Sequence, residues 1–427
     1  MQILTFRPDD VLFFKDSRPM TGSFMGHGDR WPLPTTLNSA LHAACHRVSP
    51  SNNPPVHRRR GKRISVQEEK FGALFSVGPF PVETSGNESQ WFFPAPADLK
   101  TLSTQASIAP AGTLAGITSL KSGLLPLGSR IPPSKDPAPQ WLSQQEYEAY
   151  LRQEDRKLER PTDSRFFEAE HTIGIGLDSD TNATEEGKIY SRAQMRLRET
   201  ARLGALAQLP MVGSHSADFL EEVFPSAGKI RLGGESRVCT VERRTVSQLP
   251  LPSAPKCHGR RIKWILLTPA IFQAVRTGNR HPGGWLPNWV REEDGTLQVK
   301  LVDGPGAGKA RRLRAQGKSI AAPREIRARL VAAAINRPQI VSGWAQSDGQ
   351  SGRHGARSTL LAVPAGSVYY FEAESEDDAQ RLVSVLNWHG LKPAGGEILN
   401  LRSGLLGEKG FGLGVCTTWQ NFEELNI

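Results

Sequence analysis

Near its C-terminal end the chain packs five glycines into eleven residues, Gly404-Leu-Leu-Gly-Glu-Lys-Gly-Phe-Gly-Leu-Gly414. A stretch so poor in side chains cannot hold itself, so its flanks decide what it becomes. Glycine frees the backbone to turn with φ above zero or to approach another backbone closely. Val415-Cys-Thr-Thr-Trp419 follows and reads as a strand. Upstream, Ser375 opens a helix in which Asp378 completes a capping-box pattern. Ala379, Leu382, Val383 and Leu386 then recur at the spacing of one buried face. Helix, glycine loop and terminal strand together suggest a backbone-binding loop on a small α+β domain. Successive N–H groups in such a loop suit an anion such as phosphate. The plain alternative is a tight loop that only reverses the chain.

The rest of the second half fits that frame. Lys263-Trp-Ile-Leu-Leu-Thr268, Ile340-Val-Ser-Gly-Trp344 and Ser367-Val-Tyr-Tyr-Phe371 read as strands, with a basic insertion at 304–330. A helix over Ile326–Ala334 would give the order βαββαβ, the ferredoxin-like motif. The first half starts alike. Ile3–Phe6 and Val11–Phe14 are apolar runs, and a loop follows through Arg30. A helix capped by Thr35 or Thr36 carries Leu37, Ala40, Leu41, Ala44 and Cys45. The expectation is an α+β protein of two ferredoxin-like (RRM-like) βαββαβ domains with insertions. The first spans 1–252, with an insertion around 112–161 that carries a helix near Trp141–Leu151. The second spans 253–427 and ends in the glycine loop, with Pro250–Pro255 as the linker. Glu170–Asp178 and Gly187–Tyr190 suggest a hairpin. Phe92–Asp98 is too rich in proline for a central strand.

Composition narrows the partner. The net charge of +10 over 427 residues favours an anion, nucleic acid before membrane surface. Six of the seven residues His57–Arg63 are basic or histidine, a solvated run or a phosphate track. No apolar run of about 18 residues or more predicts a membrane helix, and no signal-peptide pattern opens the chain. A cytoplasmic protein is expected. The four cysteines are scattered and form no Cys-x-x-Cys, so buried free thiols are expected rather than a zinc or redox site. His42 and His46 lie one turn apart without a third ligand nearby, so no metal is expected.

Recognisable reaction chemistry is missing. Gly304-Pro-Gly-Ala-Gly-Lys-Ala310 fails as a P-loop, because Asp303 stands where the first glycine belongs and Ala310 where Ser or Thr must meet the metal. Gly410-Phe-Gly-Leu-Gly414 lacks the dinucleotide spacing and precedes a strand. No nucleophile–base set stands out and no cofactor is implied. The pattern favours a binding module over an enzyme.

Motifs along the whole chain then point to a family. Phe6-x-Pro8-x-Asp10-x-Leu12-x-Phe14-x-Asp16-x-Arg18-Pro19 followed by Pro32-Leu-Pro-Thr35 resembles the start of the third subunit of the Cmr complex. That complex is the type III-B CRISPR effector, and the subunit belongs to the Cas-five-like group of the RAMP superfamily. Phe93–Leu99, His171–Ile175, Glu186–Tyr190, Gly233–Arg237, Thr268–Ala270, Gly284–Pro287, Ser342–Trp344 and Val363–Tyr369 match in the same order. The wider RAMP glycine motif has two Gly-hydrophobic-Gly units; here Gly410-Phe-Gly412 is clean and Gly404-Leu-Leu-Gly407 is imperfect.

The resemblance implies two ferredoxin-like domains and a non-catalytic subunit that binds the 5′ repeat-derived tag of the guide RNA. It also implies contacts with the large Cas-ten subunit and a backbone RAMP subunit, and with target RNA near the tag. Single-stranded RNA is held by phosphate contacts, backbone N–H groups and stacking. On that basis Lys15, Arg18, His27 and Arg30 are the candidates in the first loop, and Gly407, Lys409, Gly410, Phe411 and Gly412 in the last. His171 and Arg237 are further candidates, either of which could instead be a hydrogen-bonder of the fold. The alternative is a metal-independent RAMP endoribonuclease, with His27 as its acid or base.

Overall fold

The computed structural model describes residues 1–15, 31–49, 71–86, 88–120, 123–129, 131–132, 138–159, 162–178, 180–211, 218–277, 280–304, 322–345, 355–356 and 358–424. In the first half the chain forms β1 (Gln2–Pro8), α1 (Pro34–Val48), β2 (Phe75–Ser85), β3 (Glu88–Pro94), β4 (Trp141–Ser143) and α2 (Gln144–Leu151). There follow β5 (Phe167–Leu177), β6 (Thr184–Leu197), β7 (Ala201–Gln208), the short α3 (Leu220–Val223), β8 (Ala227–Arg231) and β9 (Val238–Thr245). Seven of these strands make one sheet in the order β8-β9-β1-β7-β2-β3-β4, and each neighbouring pair is antiparallel. The expected hairpin is β5–β6, a two-stranded ribbon longer than its motif, bridged to Leu12 through Met195 of β6.

The second half forms β10 (Arg261–Leu266), β11 (Val290–Glu293), β12 (Thr296–Val299), β13 (Ala328–Ala334), β14 (Gln339–Val341), β15 (Leu360–Ala362), β16 (Val368–Ala373), α4 (Glu376–Leu386) and β17 (Gly414–Thr418). Six make a second antiparallel sheet, β11-β12-β13-β16-β10-β17. Strands β14 and β15 pair separately.

Alternation along the strands explains the layering. Leu4, Phe6, Leu203 and Ala205 face α1, where Leu37, Leu41 and Ala44 cover them. Ile262, Trp264, Tyr369 and Phe371 face α4 and its Ala379, Leu382, Val383 and Leu386. The opposite faces of the two sheets meet: Ile3, Val77, Val82 and Leu206 share one core with Ile265, Leu267, Val331, Tyr370 and Val415. The layers therefore run helix, sheet, sheet, helix.

Four expectations differ from the structure. Residues 328–334 are strand β13, not helix, because the run is buried on both sides. Leu330 faces the α4 side and Val331 and Ala332 the other sheet, and a strand buried on both faces loses the alternation that would mark it. Helix α1 starts at Pro34 with Leu33 as its cap, since proline's fixed φ suits the first turn and its missing N–H is not needed there. Phe92 and Phe93 lie in an inner strand, opposite Ser143 and Leu142, and the prolines begin only at its last residue. At α4 the Ser375 hydroxyl accepts from Asp378 N at 3.0 Å and donates to Asp378 Oδ2 at 2.7 Å. The aspartate thus closes on the serine side chain, and its other oxygen accepts from Arg327 N at 3.2 Å.

The linker is strapped down rather than free. Leu249 N donates to Gly395 O at 3.0 Å, the Trp388 indole to Pro252 O at 2.7 Å and Ser253 N to a Glu148 carboxylate oxygen at 3.1 Å. Ala254 N donates to His389 Nε2 at 3.1 Å.

Candidate nucleic-acid interface

The glycine loop serves packing more than ligand contact. Gly410 has φ +84°, and a Cβ there would stand 2.5 Å from Ser76 O on β2. Gly412 has φ +85°, and its Cβ would meet the Arg402 carbonyl carbon at 2.5 Å. Both positions need glycine because backbone lies against backbone. The N–H groups turn inward as well. Gly410 N donates to Gly407 O at 2.9 Å, Phe411 N to Leu406 O at 3.2 Å and Gly412 N to Pro269 O at 2.8 Å, while Leu413 N donates to Thr268 Oγ1 at 2.9 Å. The Phe411 ring is 0% exposed, in a core with Leu33, Ile271, Val341 and Ala362. A ring without a free face cannot stack on a base, and committed N–H groups cannot cradle an anion. Of the loop candidates, only Gly407 and Lys409 keep surface. They form the turn Gly407–Lys409, and among the described residues the Lys409 ammonium has no ion pair.

A second group gathers near the start of the chain. Gly233 and Gly234 lie against Phe13 and Phe14, and Gly234 N donates to Phe13 O at 2.8 Å. Lys15 follows, exposed. Arg237 is occupied, with Asp10 at 3.3 Å and Glu235 at 3.5 Å. His171 is exposed on β5 opposite Ala193. Its neighbour Thr172 accepts from Arg192 Nε at 3.3 Å, and Arg192 pairs with Glu235. Lys15 and His171 are thus exposed, while Arg237 is tied into the fold. Arg18, His27 and Arg30 lie outside the described residues, as do the basic run 57–63 and residues 305–321. Of the remaining cations in that second run, Arg329 is paired with Glu372 at 2.6 Å and Arg327 with Glu374 at 3.8 Å.

Two features escaped the sequence. One is a cleft of about 470 Å³ where the halves meet, lined by Trp31, Pro79, Trp141, Thr268, Arg337 and Gln339 among others. Its aromatic residues come from distant segments, so no motif marks it. The other is a buried polar cluster between the sheets. Lys263 Nζ lies 3.1 Å from Asp98 Oδ2 and donates to the Tyr150 hydroxyl at 2.8 Å. The hydroxyls of Tyr150 and Tyr370 donate to Asp98 at 2.8 Å and 3.0 Å. Burial, and then the Asp98 charge, push both phenols well above their ordinary pKa. They stay protonated and donate, so neither can act as a base near neutral pH. Lysine inside an otherwise apolar strand was the available signal.

Other titratable groups are structural. All four cysteines are free and buried, and burial pushes the Cys45, Cys239 and Cys257 thiols up to about 12. The His46 ring meets Phe71 edge-on at 4.8 Å. Among the described residues no three potential metal ligands cluster, and no helix is long and apolar enough to cross a membrane.

Comparison with known proteins adds a family. A family model described as CRISPR-associated protein (Cas_Cmr3) matches residues 4–419. The chain is similar to one in a cryo-EM structure of the type III-B Cmr-beta bound to cognate target RNA, with 13% identity, 87% of this chain and 86% of that one covered, and a TM-score of 0.41. It is also similar to a chain in a crystal structure of the Csm3-Csm4 subcomplex of the type III-A CRISPR-Cas interference complex, with 9% identity, 88% and 94% covered, and a TM-score of 0.36. No curated protein matches it.

Proposed function

The chain belongs to the CRISPR-associated Cas_Cmr3 family, a subunit family of type III-B effectors, and from that premise we propose that it binds and caps the 5′ tag of the guide RNA. In this reading it is a non-catalytic, cytoplasmic subunit that joins the large Cas-ten subunit to the RAMP backbone, near the target RNA. The observation that carries the proposal is the family match over nearly the whole length. The net charge of +10 supports it, as do Lys15 and Lys409, which make no ion pair among the described residues. Arg18, His27, Arg30, Gly407 and the exposed His171 complete the proposed contacts.

The strand orders β9-β1-β7-β2 and β17-β10-β16-β13 support reading each half as a ferredoxin-like unit, divided near 252. Each has the order fourth, first, third, second that a split βαβ pair produces. A non-catalytic role is supported by the state of the buried histidines. His281 and His389 both have their two ring nitrogens engaged in hydrogen bonds.

Charge reversal tests the reading. The Lys15→Glu/Lys409→Glu variant is expected to bind tag RNA at least tenfold more weakly at about 0.1 M salt, with a salt slope smaller by about two. Unchanged binding would contradict the assigned contacts. Metal-independent cleavage of repeat RNA by the chain, lost in His27→Ala, would establish the endoribonuclease instead.

A further inference from the structure

We propose that the cleft between the halves takes a single unpaired nucleobase of RNA, stacked on Trp31, with an adjoining phosphate held by Arg337. The inference rests on the guide-RNA reading and names a place where that RNA would be gripped. Size is the first argument. About 470 Å³ admits one nucleotide and excludes a duplex. Preorganisation is the second. The Trp31 indole donates to Pro79 O at 2.8 Å, which fixes the ring's tilt. Trp141 backs it with ring centroids 5.3 Å apart. A ring held in advance loses little freedom when a base stacks on it.

Polar chemistry is the third. Among the described residues the lining holds no carboxylate that would repel an anion. Among the described residues the exposed Arg337 guanidinium and the Gln339 amide make no ion pair or hydrogen bond within the chain. The Thr268 hydroxyl accepts from Leu413 N, which leaves its own proton free to donate. A cation at the rim and two hydrogen-bonding groups inside match a phosphate and a base edge. Placement is the fourth argument. Pro269, on the cleft wall, holds the glycine loop through Gly412 N at 2.8 Å. Trp31 directly follows Arg30 in the chain. The cleft wall therefore adjoins the glycine loop, and its Trp31 is the next residue in sequence after the candidate Arg30.

The test uses the full chain and single-stranded RNA carrying the cognate repeat tag, with one abasic site moved along it. At one position the abasic site is expected to weaken binding roughly tenfold, the effect of losing a stacked base. That penalty is expected to vanish in Trp31→Leu, while intact RNA binds Trp31→Leu roughly as weakly as abasic RNA binds the unaltered chain. Arg337→Ala, at an exposed site where no packing is lost, is expected to weaken intact RNA and lower the salt slope by about one. Salt-sensitive tag binding with equal effects at every abasic position, or unchanged in Arg337→Ala, would overturn the cleft assignment and leave the guide-RNA reading standing. Absence of salt-sensitive binding by the unaltered chain would overturn both.

Discussion

Lys263 occupies a position where alternation calls for an apolar side chain. It shares its side of β10 with Ile265, in the core between the sheets, and its side chain is 5% exposed beside an Asp98 that is 0% exposed. A buried pair of this kind stabilises little relative to apolar residues, yet removing one partner strands the other charge. Lys263→Met is expected to cost about 3–5 kcal/mol. Lys263→Met/Asp98→Asn should recover most of that, because a neutral amide oxygen still accepts from the phenols. Equal denaturant midpoints for the single and double variants would contradict this account. His389 supplies a pH test. Its Nδ1 donates to Lys392 O at 2.6 Å, while Nε2 accepts from Ala254 N at 3.1 Å and Asn387 Nδ2 at 3.0 Å. Burial holds its pKa below the ordinary value. The unfolded chain therefore binds the proton first, at about 6.5. The stability contribution is complete above that value and is lost as pH falls from it towards the folded pKa. Urea midpoints between pH 7.5 and 5.5, in the native chain and in His389→Gln, should show the steeper acid loss in the native chain.

At the scale of elements, strands with one wet face and helices with one buried stripe were legible. Helix α4, the β5–β6 hairpin and the terminal strand all lie where their patterns put them. Strand β13 was not legible, since burial on both faces leaves an apolar run that fits helix and strand equally. The glycine loop was located, but the choice between an anion site and a packing loop was not legible. Composition reports that backbone comes close to something, and only the fold shows that the something is Ser76 and Arg402 rather than a ligand. Gly410→Ala tests this. A side chain there faces both a positive φ and the Ser76 carbonyl, so a loss of roughly 1–3 kcal/mol is expected. A thermal midpoint unchanged from the native chain would return the loop to a ligand-binding role.

For the whole molecule, the two sheets meet face to face, and the strap at 249–254 holds them together by hydrogen bonds from both halves. That packing builds the cleft from Trp31, Trp141 and Arg337, the first and last of which lie over 300 positions of sequence apart. No local pattern could reveal such a site, whereas the basic loops could be read directly. The central claim is that the chain grips the guide RNA by its tag. Its most direct measurement is the affinity of the full chain for guide RNA with and without the 5′ tag, over a salt series. Tighter binding of the tagged RNA, weakening steeply as salt rises and leaving the RNA intact, is the expected result. Equal affinity for both RNAs, or binding indifferent to salt, would contradict it.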